Sequence, residues 1–102
     1  MTWDIVLEPS KKKSNLGGRE EVLKLLSEIL PTLDLADPCW GQIDEESLVI
    51  DFNIGSEDPL SSIMLHVHAV GGNFDKILET IEHICKETSW RAFDLSSGEY
   101  LA

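Results

Sequence analysis

The stretch "LVIDFNIGSEDPLSSIMLHVHA", residues 48–69, contains two runs in which apolar and polar residues alternate, separated by a Gly- and Pro-containing turn. Alternation with a period of two is typical of β-strands that bury one face. The alternating apolar residues are Leu48, Ile50, Phe52 and Ile54 in the first run, and Ile63, Leu65, Val67 and Ala69 in the second. We therefore predict two strands joined as an antiparallel hairpin.

The register of this hairpin follows from its apolar faces, because a slip of one residue would set apolar side chains against polar ones. If Ile54 pairs with Ile63, every apolar residue of one strand faces an apolar residue of the other. The same register places Asp51 directly opposite His66 on the polar face. The other polar-face pairs are Asn53 with Met64 and Val49 with His68. If their side chains meet, Asp51 and His66 form a histidine–carboxylate pair.

The rest of the chain supplies two helices and further strands. Apolar residues at helical spacing predict helices over residues 19–30 and 74–88, the second with Asn73 as its N-cap. Shorter patterns predict strands at residues 3–7, 40–43 and 90–94, with a short strand at the C-terminal end. Residues 32–41 are interpreted as a loop that Leu33 and Leu35 attach to the core.

The element order β-α-β-β-β-α-β predicts a single α+β domain over residues 1–102. Each helix has one apolar stripe and each strand one apolar face, so both helices are expected on one side of a mainly antiparallel sheet. This arrangement is a two-layer sandwich. Its second sheet face is then semi-polar and available to solvent or to a partner.

The charge of the chain excludes several kinds of partner. It has 8 Lys and Arg residues against 19 Asp and Glu residues, for a formal net charge of -11. Binding to nucleic acid or to an anionic membrane requires a basic surface, which this composition does not provide. A basic protein would be attracted to such a molecule. The alternative interpretation is that the acidic residues only keep the protein soluble.

Cysteine usage and the N-terminal segment indicate a reduced, cytoplasmic protein. Cys39 and Cys85 are not in a C-x-x-C motif, and no zinc spacing is present. The segment "MTWDIVLEP" lacks the pattern of a signal peptide, and no apolar run is long enough for a membrane helix. We expect both thiols to be packing residues and no cofactor to be bound.

His66 and His68 form the first candidate site, because alternating residues of a strand project from the same face. Two imidazoles at this spacing, with Asp51 as a third ligand, are able to hold a transition metal. Asp51 is alternatively able to orient His66 as a general base. The competing interpretation is an ordinary polar face with a histidine–carboxylate pair, and a lone H-x-H motif is a weak signal.

The acidic turns and Trp40 form the second candidate site. Glu57 and Asp58 lie in the turn between the hairpin strands, at the end where Asp34 and Asp37 are expected. An outward-facing Trp40 would add an aromatic anchor of the kind that protein interfaces use. The competing interpretation is that the loops are merely charged and that Trp40 belongs to the core.

Five segments resemble a group of small, uncharacterised bacterial proteins of about 100 residues. They are "TWDIVL" at 2–7, "DPCWGQID" at 37–44, "IDFNIG" at 50–55, "SIMLHVH" at 62–68 and "WRAFDLSSGE" at 90–99. The resemblance covers most of the chain except the lysine-rich loop at residues 11–13. It implies no activity, cofactor or catalytic residue.

The leading hypothesis is a non-enzymatic protein-binding module of the bacterial cytosol, of the kind that inhibits a basic toxin as an immunity protein or antitoxin. Its expected partner-binding residues are Asp51, His66, His68, Trp40, Glu57 and Asp58. The alternative is a metal-binding protein or metal-dependent enzyme that uses His66, His68 and Asp51. A homodimer formed through the open sheet face or an edge strand is a third hypothesis.

Overall fold

The computed structural model describes residues 2–45, 48–68 and 74–101. Its elements follow the predicted order, with one strand added before residue 40. The elements are β1 Thr2–Glu8, α1 Arg19–Ile29, β2 Asp34–Asp37, β3 Trp40–Glu45, β4 Leu48–Asn53, β5 Ile63–His68, α2 Phe74–Thr88, β6 Arg91–Asp94 and β7 Glu99–Tyr100.

The strands of the described residues form one seven-stranded sheet in the order β2-β3-β4-β5-β1-β6-β7. Every neighbouring pair is antiparallel. Strands β2 to β5 are neighbours both in the chain and in the sheet. Strand β1, the first in the chain, lies in the interior of the sheet between β5 and β6. The N-terminal strand therefore joins the hairpin region to the C-terminal strands.

The predicted register of β4 and β5 is confirmed. The observed partners are Val49 with His68, Ile50 with Val67, Asp51 with His66, Phe52 with Leu65, and Asn53 with Met64. The predicted pair Leu48–Ala69 lies outside the described residues, and Ile54 follows the last residue of β4. Matching the apolar faces was sufficient to fix this hairpin because one of its faces is completely buried.

Both helices cover the same face of the sheet, which confirms the α+β two-layer sandwich. Alternate strand residues and the apolar stripes of the helices belong to one buried cluster. Phe52 and Leu65 from the central strands are 0% exposed, as are Leu26 of α1 and Ile81 of α2. Burying an apolar side chain of this size contributes about 1.5–3 kcal/mol, so this shared face determines which way each strand points.

The prediction that residues 32–41 form a loop is wrong for residues 34–37, which form the edge strand β2. This strand has a single inward apolar residue, and its pairing with β3 is interrupted by a shift in register. Leu33 and Leu35 attach it to the core as expected. They pack directly over Gly41 of β3, where an added Cβ would lie 2.9 Å from the Leu35 side chain. The absence of a side chain at Gly41 makes room for both leucines.

Arg19, the first residue of α1, connects this helix to two loops at one end of the sheet. Its backbone N–H donates to the Asp58 carboxylate (3.0 Å) and so caps a helix whose N-cap residue is Gly18. Its guanidinium donates to the carbonyl oxygens of Gly55 (2.6 Å) and Pro38 (2.7 Å). The β2–β3 turn, the β4–β5 loop and α1 are therefore held in one arrangement.

Asp94 connects β1 to the C-terminal strands. It is 6% exposed and accepts hydrogen bonds from the Trp3 indole (2.8 Å), the Ser96 backbone (2.9 Å) and the Ser97 hydroxyl (3.0 Å). Burial by itself would raise the pKa of this carboxyl, but the hydrogen bonds outweigh burial and lower the pKa below its usual value. The ionised form of Asp94 is therefore part of the folded structure.

The second helix has the predicted bounds, and its predicted N-cap Asn73 lies outside the described residues. Cys85 is buried on its apolar face, as expected for a packing residue, and burial raises the pKa of its thiol to about 11. None of the described helices is both long enough and apolar enough to cross a membrane.

Candidate functional site

The candidate site is the open face, by which we mean the side of the sheet opposite to the two helices. Because side chains alternate along a strand, the residues between the buried positions point to this face. Where three strands meet at its centre, Asp4, Asp51 and His66 share a single row of paired residues. The open face is built by the same alternation that builds the core.

One row of paired residues crosses six strands of the open face. We call it the cross-strand row; its members, each paired with the next, are Trp40, Asn53, Met64, Val6, Phe93 and Tyr100. Neighbouring strands are about 4.8 Å apart, so the row extends for about 24 Å. Trp40 is 42% exposed and Tyr100 is 48% exposed. Trp, Tyr, Phe and Met are the residues enriched at protein interfaces.

The Tyr100 end of the row is held by several contacts. The Tyr100 ring meets the Phe93 ring edge to face, with centroids 5.0 Å apart, and the Arg91 guanidinium lies 4.6 Å from the Tyr100 centroid. The Tyr100 hydroxyl donates to Glu8 (2.8 Å), and this bond to a carboxylate raises the pKa of the hydroxyl. The exposed ring is therefore fixed in place before any partner arrives.

The Trp40 end of the row is also ordered. The Trp40 ring stacks on the His66 ring, with centroids 6.1 Å apart and an interplanar angle of 20°. Nδ1 of His66 lies 2.8 Å from a carboxylate oxygen of Asp4. The preceding turn is held through Pro38 by Arg19. The sequence left two placements for Trp40, outward or in the core, and the structure has it outward, with 42% of the residue exposed.

Asp51 and His66 are directly opposed in the sheet, as predicted, but each side chain binds a different residue. Asp51 instead lies 3.0 Å from Nε2 of His68, the diagonal neighbour, and accepts a hydrogen bond from Gln42 (2.8 Å). His66 turns the other way, toward Asp4 of β1. The reason is the strand order, because β1 brings a second carboxylate opposite His66 from the other side.

The two histidines therefore bind separate carboxylates. His66 is paired with Asp4 and His68 with Asp51. Within the described ranges, which include Asp51, His66 and His68, no group of three or more His, Cys, Asp or Glu side chains is placed to hold a metal ion. The geometry favours two surface histidine–carboxylate pairs.

Glu57 and Asp58 lie in the β4–β5 loop, beside the Trp40 end of the row, and make structural contacts. Glu57 accepts a hydrogen bond from the Ser61 hydroxyl (3.0 Å), and Asp58 caps α1 through Arg19. Cys39 is half-buried, and its sulfur lies 3.4 Å from the same guanidinium. These residues support the Trp40 turn, and none of them lies in the cross-strand row.

A cleft of about 580 Å³ lies on the helix side of the molecule. Its walls include the lysines at residues 11–13, Leu25 of α1, and Thr88 and Ser89 at the C-terminal end of α2. The carbonyl groups at a helix C-terminus carry partial negative charge, which disfavours an anion beside them. The lysines would attract an anion, but the C-terminal end of α2 in the same cleft disfavours one.

Five members of the cross-strand row were not among the sequence-predicted site residues: Val6, Asn53, Met64, Phe93 and Tyr100. Val6 and Met64 occupy outward positions of predicted strands, so their exposure to the open face was readable from alternation. Their alignment with Phe93 and Tyr100 depends on β1 lying beside both β5 and β6. No local pattern in the sequence indicates that arrangement.

The chain matches no protein-family model, no curated protein and no solved structure. The resemblance to small bacterial proteins stays a prediction, and the function is argued from the open face.

Proposed function

We propose that the protein is a non-enzymatic module that binds another protein through its open face. The mode of action is occupation of the partner's surface, as in an immunity protein or antitoxin that blocks a toxin in the bacterial cytosol. The cross-strand row carries this proposal, with Trp40 and Tyr100 as exposed anchors at its two ends.

The size of the row suits a protein partner. A standard interface buries about 800 Å² on each side, which corresponds to a patch roughly 30 Å across. A row of about 24 Å extends over most of such a patch. In known interfaces, Trp, Tyr and Arg are enriched among the few residues that provide most of the binding energy, and Phe and Met are enriched in the buried centre.

The two anchor side chains are already held in place before binding, and this also supports the proposal. A side chain that becomes immobile on association costs about 0.5–1.5 kcal/mol. Tyr100 is already held by Glu8, Phe93 and Arg91, and Trp40 by its stacking on His66. Less side-chain freedom is therefore lost when a partner covers these rings.

The proposal is tested by placing a photo-cross-linking amino acid at Asn53, an exposed position in the row, in cells of the source organism. The matched control carries the same amino acid at Glu82, an exposed position of α2. We expect one protein to be cross-linked from position 53 and not from position 82. The double substitution Trp40→Ala with Tyr100→Ala should remove that product.

Three results would contradict the proposal: equal cross-linking from both positions, a product that survives the double substitution, or cross-linking only to a second copy of the chain. Inhibition is measured separately on the captured protein. Its activity should fall when the wild-type module is added, and the double variant should leave that activity unchanged.

A further inference from the structure

We infer that the partner on the open face is a cationic protein surface, with Lys and Arg side chains around an apolar centre. This inference rests on the proposed function, since it names the chemistry of the occupant of the same face. It is carried by the distribution of charge over the fold.

The negative charge of the protein is confined to the sheet and its connections. The two helices contain seven acidic and four basic residues, and the lysines at residues 11–13, which lie on the helix side, make seven basic residues. These segments are therefore neutral in sum. Of 19 acidic and 8 basic residues in the chain, twelve acidic residues and one basic residue, Arg91, belong to the strands and the other connections. The formal charge of -11 comes from these segments, although Glu45 binds Lys76 of α2 and Asp94 is buried on the inner side.

Six of these acidic residues occupy open-face positions in the described strands: Asp4, Glu8, Asp34, Asp37, Asp44 and Asp51. The one basic residue, Arg91, lies against Glu8 and the Tyr100 ring. The carboxylates of Asp4 and Asp51 are each shared with a histidine, and the Asp4 side chain is 43% exposed. The open-face positions of the described strands therefore carry six carboxylates against one basic residue.

Two of the acidic residues, Asp4 and Asp51, lie beside the cross-strand row at the same distance from it. Asp51 is two residues from Asn53 along β4, and Asp4 is two residues from Val6 along β1, which places each about 7 Å from the row. A partner with apolar side chains at the centre of its surface, and Lys or Arg about 7 Å from them, would match the row and the carboxylates beside it. Such complementarity speeds association and excludes wrong partners.

The same charges disfavour the other occupants of a sheet face. Two copies placed face to face would bring like charges together, and a like-charge juxtaposition costs several kcal/mol. Nucleic acid and anionic membranes are themselves negative. A cationic protein is the occupant that this distribution favours.

The probe is a cyclic β-hairpin peptide with Lys residues surrounding a Trp pair, titrated into the isotopically labelled full chain and followed by NMR. Matched peptides replace every Lys with Glu, or both Trp residues with Ser. Two triple variants of the protein remove the same number of charges. One is Asp4→Asn, Asp44→Asn and Asp51→Asn on the open face; the other is Glu79→Gln, Glu82→Gln and Glu87→Gln on α2.

The Lys peptide is expected to shift the resonances of Trp40, Met64 and Tyr100, and the two matched peptides should bind at least tenfold more weakly. The open-face variant should weaken binding of the Lys peptide by about tenfold and the α2 variant by less than twofold, because only the first removes charge from the docking surface. Unchanged spectra for the rest of the sheet control for folding.

Equal losses in the two variants, equal binding of the Lys and Glu peptides, or no binding of the Lys peptide up to about 1 mM (a free energy of about -4 kcal/mol) would overturn the cationic assignment. None of these results affects cross-linking from position 53, so failure of this inference is distinguishable from failure of the proposed function. Self-association of the wild-type chain through these same residues would also overturn it.

Discussion

The two faces of strand β4 differ in what fixes their side chains. On the inner face, Ile50 and Phe52 are 0% exposed and touch the helices and neighbouring strands within one cluster. On the outer face, the Asp51 carboxylate is hydrogen-bonded to Gln42 and His68, and Asn53 is exposed. The inner face is specified by volume and shape. The outer face is specified by hydrogen bonds and charge.

This difference separates the residues that fold the protein from those proposed to bind. Removal of an inner side chain leaves a cavity, and the folded state loses both the transfer free energy of the buried atoms and their packing contacts. Removal of an outer side chain exposes its place to water, at little cost to folding. The four substitutions below test this separation.

Phe52→Ala gives the largest expected effect. It should lower the free energy of unfolding by about 3–5 kcal/mol, because a fully buried aromatic side chain is replaced by a cavity. The next residue provides the control. Asn53→Ala, on the open face, should change the free energy of unfolding by about 0.5 kcal/mol or less. Urea unfolding followed by circular dichroism measures both. Comparable losses for the two variants would mean that the faces are not separable.

Arg19→Met is expected to lower the free energy of unfolding by about 2 kcal/mol, because it leaves the carbonyl groups of Pro38 and Gly55 without this charged donor. Lys24→Met, at an exposed position of the same helix, should cost about 0.5 kcal/mol or less. Thermal unfolding compares the two. Unchanged stability of Arg19→Met would show that contacts other than those of Arg19 support the Trp40 end of the open face.

Asp94→Asn tests a carboxylate that lies on the inner side. The pKa of Asp94 is lowered in the folded protein, so its ionised form stabilises the fold above the ordinary aspartate value of about 3.9. This contribution is lost as the pH falls through the lowered pKa. The variant should therefore lose about 1–2 kcal/mol at pH 7, with a smaller difference from wild type toward pH 3.

Ser97→Ala is the control for this prediction, because it removes one donor to Asp94 and keeps the carboxylate. It should cost about 1 kcal/mol or less at pH 7. A difference between Asp94→Asn and wild type that stays constant from pH 7 to pH 3 would contradict a role for the charge. Unfolding in guanidinium chloride at each pH gives these values.

Trp40→Ala gives the smallest expected effect on folding, about 0.5 kcal/mol or less, because the side chain is exposed and stacks on a histidine ring at the surface. The same variant should reduce cross-linking from position 53 strongly. A large loss of stability with unchanged cross-linking would reverse the roles that we assign to the two faces.

The helices and the β4–β5 hairpin could be predicted from the sequence because each has a strong hydrophobic period and one buried face. The sequence was insufficient for β2, where Leu35 is the only inward apolar residue of the strand and pairing is irregular. It was also insufficient for strand order, since the place of β1 between β5 and β6 depends on contacts between residues far apart in the chain.

The candidate site shows the same limit. The face on which His66 and His68 lie was predictable from alternation, whereas the sequence did not decide between an exposed and a core position for Trp40. The contact partner of His66 was not predictable, because Asp4 reaches it only through the sheet order. The Tyr100 end of the row depends on β7, which has two residues and almost no pattern to detect.

The placement of the three tryptophans gives the molecule an internal optical reporter. Trp90 is buried and Trp3 packs against the core with its indole N–H bonded to Asp94, whereas Trp40 is exposed. The long-wavelength part of the intrinsic fluorescence should therefore come from Trp40. A partner that covers the open face should shift that emission to shorter wavelength, so unlabelled protein is sufficient to follow the docking in real time.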